Sequence, residues 1–164
     1  KRVGVVPSAL YRHFENKEQL EIEAFQNMMH SIFNTLQKKI KAENNTRDKL
    51  FCVLELFQDY INNPFFCVCC PLLNVSIEVD DTSMVLKDKA LQALTVFRNS
   101  IETIVINGKT HKEVNAIVNE KLVAIVMISS LEGAIMMSKL QDSNNDIETV
   151  VKHLKNWIVA DVLL

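Results

Sequence analysis

The sequence predicts an all-α chain, a short helix-turn-helix remnant followed by a helical bundle, and three observations predict it. The 164 residues hold only 3 Gly and 3 Pro, too few for a β-sandwich or barrel, whose turn signals recur about every 8–12 residues. Apolar residues make up 48% and charged residues 23%, the balance of a globular chain with a sizeable core. Apolar positions also recur at three- and four-residue spacing along most of the chain.

Taken in order, Pro7 opens a first short helix to about His13, because its missing N–H has no partner in a first turn anyway. Leu10 and Phe14 share its buried side, and Gly4 is the turn that precedes it, as in a helix-turn-helix. Asn16 caps a helix of roughly 25 residues, with Gln19 reaching back in a variant capping box. Its apolar positions are Leu20, Ala24, Phe25, Met28, Ile32, Leu36 and Ile40, and it ends near Glu43-Asn44-Asn45. Thr46 is read as the next cap, with Leu50, Val53, Leu54, Phe57 and Ile61 buried and Asn63-Pro64 as the stop. A tight Cys-rich connection to Pro71 leads to a short helix over 72–79. Asp80-Asp81-Thr82 reads as the cap of a long helix that Asn107-Gly108 ends, with Gly108 as a left-handed terminator. From Thr110 to about Leu140 the apolar residues cover nearly every direction around a helix, so that helix needs cover on all sides, and a second subunit is the expected cover. After the polar break 141–146, a clean stripe from Ile147 to Val162 is the last helix.

Lys+Arg 18 against Asp+Glu 20 gives a net charge of −2, which excludes a uniformly basic nucleic-acid binder. The charge is uneven: residues 1–17 carry +3 and residues 18–164 carry −5. A basic end on an acidic body is expected to meet a polyanion only at that end. No run of 18 or more apolar residues occurs, so no membrane span is expected, nor is a signal peptide. Three of the four cysteines, Cys67, Cys69 and Cys70, crowd into four residues, a spacing that suits a reduced, cytoplasmic protein better than a disulfide framework. With Lys at position 1, the sequence is expected to begin inside a longer protein.

The stretch from Gly4 to Leu20, GVVPSALYRHFENKEQL, resembles the DNA-binding signature of the TetR family of transcriptional regulators. Gly4, Val5, Tyr11, Phe14, Lys17 and Leu20 match its pattern in register. Cys70-Pro71-Leu72-Leu73-Asn74 with Glu78, Asp80-Asp81-Thr82, Asn107-Gly108 and Leu131-Glu132-Gly133-Ala134 resemble the regulatory half of the family. The resemblance covers essentially the whole chain, with two departures. The family's first helix and most of its second are missing ahead of Lys1, and Val6 stands where the recognition helix usually has a Ser or Thr cap, a loss of ~1 kcal/mol.

The resemblance implies a truncated helix-turn-helix head, residues 1–17, and a ligand-binding and dimerisation domain, residues 18–164. It implies a repressor released from double-stranded operator DNA by a small apolar effector, acting as a homodimer through its last two helices. Pro7, Ser8 and Ala9 would face base edges, Arg12 and His13 bases or phosphate, and Tyr11 and Lys17 phosphates. The body's Met and Phe content suggests an apolar pocket lined by Phe25, Met28, Met29, Phe33, Phe57, Tyr60, Leu73, Ile77, Phe97, Ile101, Met127 and Leu131. Glu78 is the polar group expected to anchor a ligand's cationic or hydroxyl group or else a neighbouring helix end, and Glu132 is a similar case. No catalytic motif, cofactor or metal set is read: Cys67, Cys69 and Cys70 lack a second ligand pair. Two alternatives stand beside this reading, a thiol-responsive regulator using those cysteines and a dimeric ligand-binding module without DNA binding.

Overall fold

A computed structural model describes residues 14–58, 70–78 and 83–164. Among the described residues the fold is all-α, as expected. The helices are α1 (Lys17–Ala42), α2 (Thr46–Gln58), α3 (Pro71–Glu78), α4 (Met84–Thr110), α5 (Glu120–Gln141) and α6 (Asn145–Trp157), and a π-helical turn (Ile158–Val162) closes the chain. The short helix expected over 7–13 and the stop at Asn63-Pro64 lie outside the described residues.

α1 starts as its sequence suggests: the Asn16 side chain accepts from the Gln19 amide at 2.8 Å, and Gln19 Oε1 accepts from the Glu15 amide at 2.7 Å. Phe25, Met29, Ile32 and Leu36 form its buried stripe.

Four expectations need correcting. The cap of α2 is Asn45, whose Oδ1 accepts from the Asp48 amide at 2.8 Å. Thr46 is the first helical residue; it is buried, and its own N–H donates to Glu113 Oε2 at 2.6 Å. The side-chain cap of α4 is Ser83, which accepts from the Leu86 amide, while 80–82 lie outside the described residues. Gly108 does not terminate α4, which continues to Thr110, and the left-handed residue beyond it is Lys112, at φ 58°. Finally, α5 begins at Glu120 rather than near Thr110. Asn119 caps it, and the preceding loop is held as an isolated antiparallel bridge between Val114 and Leu163, with the Asn115 amide on Val162 O at 3.0 Å. Short amide side chains bond the local backbone in turns, and hydrophobicity alone could not reveal that competition.

α5 is the central helix, packed on α4 and α6, while α2 packs against α1, α4 and α6. α5 is long and apolar enough to cross a membrane, with a mean hydropathy of 1.6 in its best window. Yet Val123, Ala124, Met127, Ile128, Leu131, Ala134 and Ile135 along it are buried in the bundle. Ser138 Oγ, also buried, accepts from the Ile147 amide and so joins α5 to the start of α6.

Glu113 ties the α4–α5 loop to α2. The Thr46 hydroxyl, then the Thr46 amide, hold its carboxyl below the usual carboxylate range. A depressed folded-state value means the stabilisation is complete above the unfolded carboxylate's pKa, about 4.3, and is lost as pH falls through the folded one. The urea midpoint of the unaltered chain is therefore expected to fall more between pH 6 and pH 3 than that of Glu113→Gln. Equal falls would remove Glu113 from the account of acid sensitivity.

Candidate functional site

The helix next to the sequence's basic end is α1. Lys17 opens it, 78% exposed by its side chain and 3.1 Å from Glu21. Glu18, one residue on, accepts a hydrogen bond from Ser83 Oγ. Ser83 thus caps α4 and holds the first turn of α1 at once. Of the residues expected to meet DNA, Lys17 alone is described. Pro7, Ser8, Ala9, Tyr11, Arg12 and His13 lie outside the described residues.

Further along α1, Met29, Ile32 and Phe33 face a gap inside the body, closed on its other sides by Leu56 and Phe57 of α2, Cys70, Pro71 and Leu72 at the start of α3, Phe97 of α4 and Glu132 of α5. Phe97 lies between two other rings, with centroids 6.3 Å from Phe33 and 6.1 Å from Phe57, in tilted contact. Four of the residues expected to line a pocket, Met29, Phe33, Phe57 and Phe97, therefore meet around one space. The gap is small, about 10 Å³, roughly the room for one water.

The other expected lining residues are placed elsewhere. Phe25, Ile101, Met127 and Leu131 are buried in the core without bordering the gap. Met28 and Leu73 are partly buried against the core, and Ile77 is 67% exposed. Tyr60 lies outside the described residues, as does the side chain of Glu78.

The polar pair at the gap is Glu132 and Cys70. The Cys70 thiol donates to Glu132 Oε1 at 2.9 Å. The second oxygen, Oε2, is buried with no hydrogen-bond partner among the described residues. Burial pushes the Glu132 carboxyl up, and the thiol's hydrogen bond only partly opposes this. Burial, then the neighbouring carboxylate, holds the Cys70 thiol well above its ordinary range, despite the backbone amides of Leu72 and Leu73. A buried thiol so held is not a reactive thiolate. Cys67 and Cys69 lie outside the described residues, and no cluster of metal-ligating side chains occurs among the described ones.

Sequence reasoning did not foresee the larger space beside the gap. A cleft of about 900 Å³ opens between the C-terminal halves of α1 and α4. Its floor is apolar, with Phe33, Leu36, Ile40, Val96 and Ile104, and its rim is polar, with Asn34, Gln37, Asn99, Thr103 and Asn107 beside the charged Lys41, Glu43, Lys49 and Glu113. Such residues read in one dimension as solvated helix faces, and only the angle between two helices makes them a cleft. Phe33 borders both spaces.

The outer side of α5 exposes Leu122, Ile125, Met136, Met137 and Leu140. Gly133 lies on it with nothing within 4 Å of an added Cβ.

Residues 46–154 match the family model described as "Tetracyclin repressor-like, C-terminal domain". The chain is 30% identical to a TetR transcriptional regulator from Chloroflexus aurantiacus, covering 94% of this chain and 78% of that one at a TM-score of 0.88. A TetR-family regulator from Cytophaga hutchinsonii is 29% identical at the same coverages, with a TM-score of 0.83. The nucleoid occlusion factor SlmA of Mannheimia succiniciproducens is 24% identical over 147 residues, which is 83% of this chain. The chain spans only 62% of that relative's length.

Proposed function

The chain belongs to the TetR family, whose members are transcriptional regulators and not enzymes, and from that premise we propose that it is the regulatory body of a ligand-responsive, homodimeric, operator-binding repressor of the cytoplasm. The observation that carries this reading is the continuity of α1. One unbroken helix has Lys17 at its first turn and Met29, Ile32 and Phe33 at the interior gap, about 18–24 Å further along at 1.5 Å per residue. A molecule that widens the gap pushes on the helix that carries the head. Glu18 and Ser83 tie the same first turn to the cap of α4, so a shift of α1 against α4 reaches the head as a tilt. Two heads on a dimer read half-sites roughly 34–36 Å apart, and a coupling of about 1–3 kcal/mol changes operator affinity roughly 5–150-fold.

The dimer is assigned to the outer face of α5 together with α6, where exposed apolar residues flank the bare backbone of Gly133. The head is assigned to the segment ahead of α1, with Lys17 on a phosphate and the first turn of the recognition helix in the major groove.

A salt series on a duplex selected from random sequences by the full-length protein tests the head. Lys17→Ala is expected to weaken binding similarly across sequences and to shallow the salt slope by about one unit, one phosphate neutralisation being lost. Changes at Ser8 or Ala9 are expected to alter which duplex is preferred. If Lys17→Ala leaves affinity and slope untouched and Ser8 changes leave preference untouched, the register of the head is wrong.

A further inference from the structure

We propose that the effector is an organic cation: its nitrogen seats against Glu132 in the interior gap, among Phe33, Phe57 and Phe97, and its body runs out past Phe33 into the polar-rimmed cleft. This rests on the reading of the gap as the effector site and adds the chemical class of the effector.

The buried, unpaired Glu132 Oε2 is the starting point. Unpartnered buried carboxylate oxygens are costly and rare, and each calls for an explanation. Oε1 already has the Cys70 thiol as donor; Oε2 has capacity left, on a residue that borders the apolar gap. Burial favours the neutral carboxyl, and a neutral donor does nothing to reverse that. A cationic nitrogen supplies both the missing hydrogen bond and the opposite charge under which an ionised carboxylate is tolerated in the interior. The surrounding rings favour the same chemistry, since aromatic faces attract cations, most of all where water is excluded. The thiol is held as a donor and so keeps the pair in one arrangement without competing for the ligand's proton.

Size decides the rest. The gap, about 10 Å³, does not admit a drug-sized molecule, whereas the cleft, about 900 Å³, does. Phe33 borders both, only partly buried and in a tilted contact with Phe97. That ring must swing aside for a ligand to reach from the cleft to Glu132. Met29, an unbranched side chain that repacks readily, borders the gap beside it. The cleft's amides and hydroxyls, with Lys41 and Lys49 balanced by Glu43 and Glu113, then suit a hydrogen-bonding body over an apolar floor.

Three isosteric probes test the class by thermal shift on the full-length protein: 4-phenylbutylamine, 4-phenylbutan-1-ol and 4-phenylbutyrate. At about a hundredfold excess over Kd the amine is expected to raise Tm by roughly 5–10 °C, and the alcohol and the acid by far less. Glu132→Gln is expected to abolish the amine shift while raising the Tm of the unliganded protein, because it removes the buried ionisable group. Glu132→Met is a second variant of similar volume, with the same expected loss. An amine shift equal in the unaltered protein and both variants overturns the proposal, as does no amine shift at all. A shift by the alcohol or the acid in place of the amine overturns the cationic class but leaves the gap as an effector site. A shift by none of the three, together with effector release traced elsewhere, overturns both.

Discussion

Replacing Ile125 and Met136 by Asp is expected to turn the protein into a monomer. Both residues are exposed on the outer side of α5, 47% and 46% respectively, so neither change empties the core of the subunit. In a two-fold interface each substitution occurs twice, because the same patch serves both subunits. Losing one large apolar contact costs roughly 1.5–3 kcal/mol, and the introduced carboxylates add desolvation and like-charge repulsion across the axis. Together these raise the dimer dissociation constant by at least about a thousandfold. Sedimentation at micromolar concentration measures it, with Lys38→Asp on the exposed side of α1 as the charge-matched control. Gly133→Ala is a subtler version of the same test. An added Cβ meets nothing within 4 Å inside the subunit, so a weakened dimer there reports on the close approach of a partner. A double Asp variant that still sediments as a dimer would move the interface off α5.

Gly108→Ala is expected to destabilise the subunit by about 1–3 kcal/mol, although Ala is the better helix former by about 1 kcal/mol. An ideal Cβ at this position would lie 2.5 Å from Thr46 Oγ1, 2.5 Å from Val114 Cγ2 and 2.9 Å from Thr46 Cγ2. The obstructing atoms belong to two short β-branched side chains, which are stiff at χ1 and have no far end to swing away. Thr46 is further fixed through its amide on Glu113, and Val114 through the bridge to Leu163. α4 must therefore back away from α2. For a chain of this length the change lowers Tm by roughly 2–12 °C. Val114→Ala placed on top of Gly108→Ala is expected to recover part of the loss, giving a coupling between the two positions in a double-mutant cycle. Additive effects, or a Tm raised by Gly108→Ala, would contradict the close approach.

The same glycine shows how far the sequence could be read. Asn107-Gly108 carries a helix-stop signal, and the helix runs through it, because the reason for glycine is a neighbour 62 residues away in the chain and not a local turn. The Thr46 cap failed for a related cause: Asn45 and Thr46 are both plausible caps, and only the carboxylate of Glu113 decides which one is drawn into the helix. Over 111–119, apolar residues suggested helix, but Val114 serves the C-terminal tail. The stripe of α6, by contrast, is legible as periodicity, and that of α1 in part: Phe25, Ile32 and Leu36 are buried as expected, whereas Ala24 is exposed and Met29 is buried more deeply than Met28. At the gap, the aromatic members could be picked from composition, whereas the pairing of Cys70 with Glu132 spans 62 residues and leaves no local trace. Glu78 and Glu132 had much the same pattern of neighbours, and only packing shows that Glu132 reaches an apolar space.

The most direct test of a dimeric repressor is the symmetry and stoichiometry of its complex with DNA. Random duplexes are to be selected with the full-length protein, the enriched sequence footprinted, and the complex weighed by sedimentation. A two-fold symmetric site is expected, with half-sites about one helical turn or a multiple apart, occupied by an even number of subunits. The Ile125→Asp, Met136→Asp variant is expected to bind it far more weakly. Failure to enrich any duplex at physiological salt, or enrichment of an asymmetric site bound by a single subunit, would contradict it.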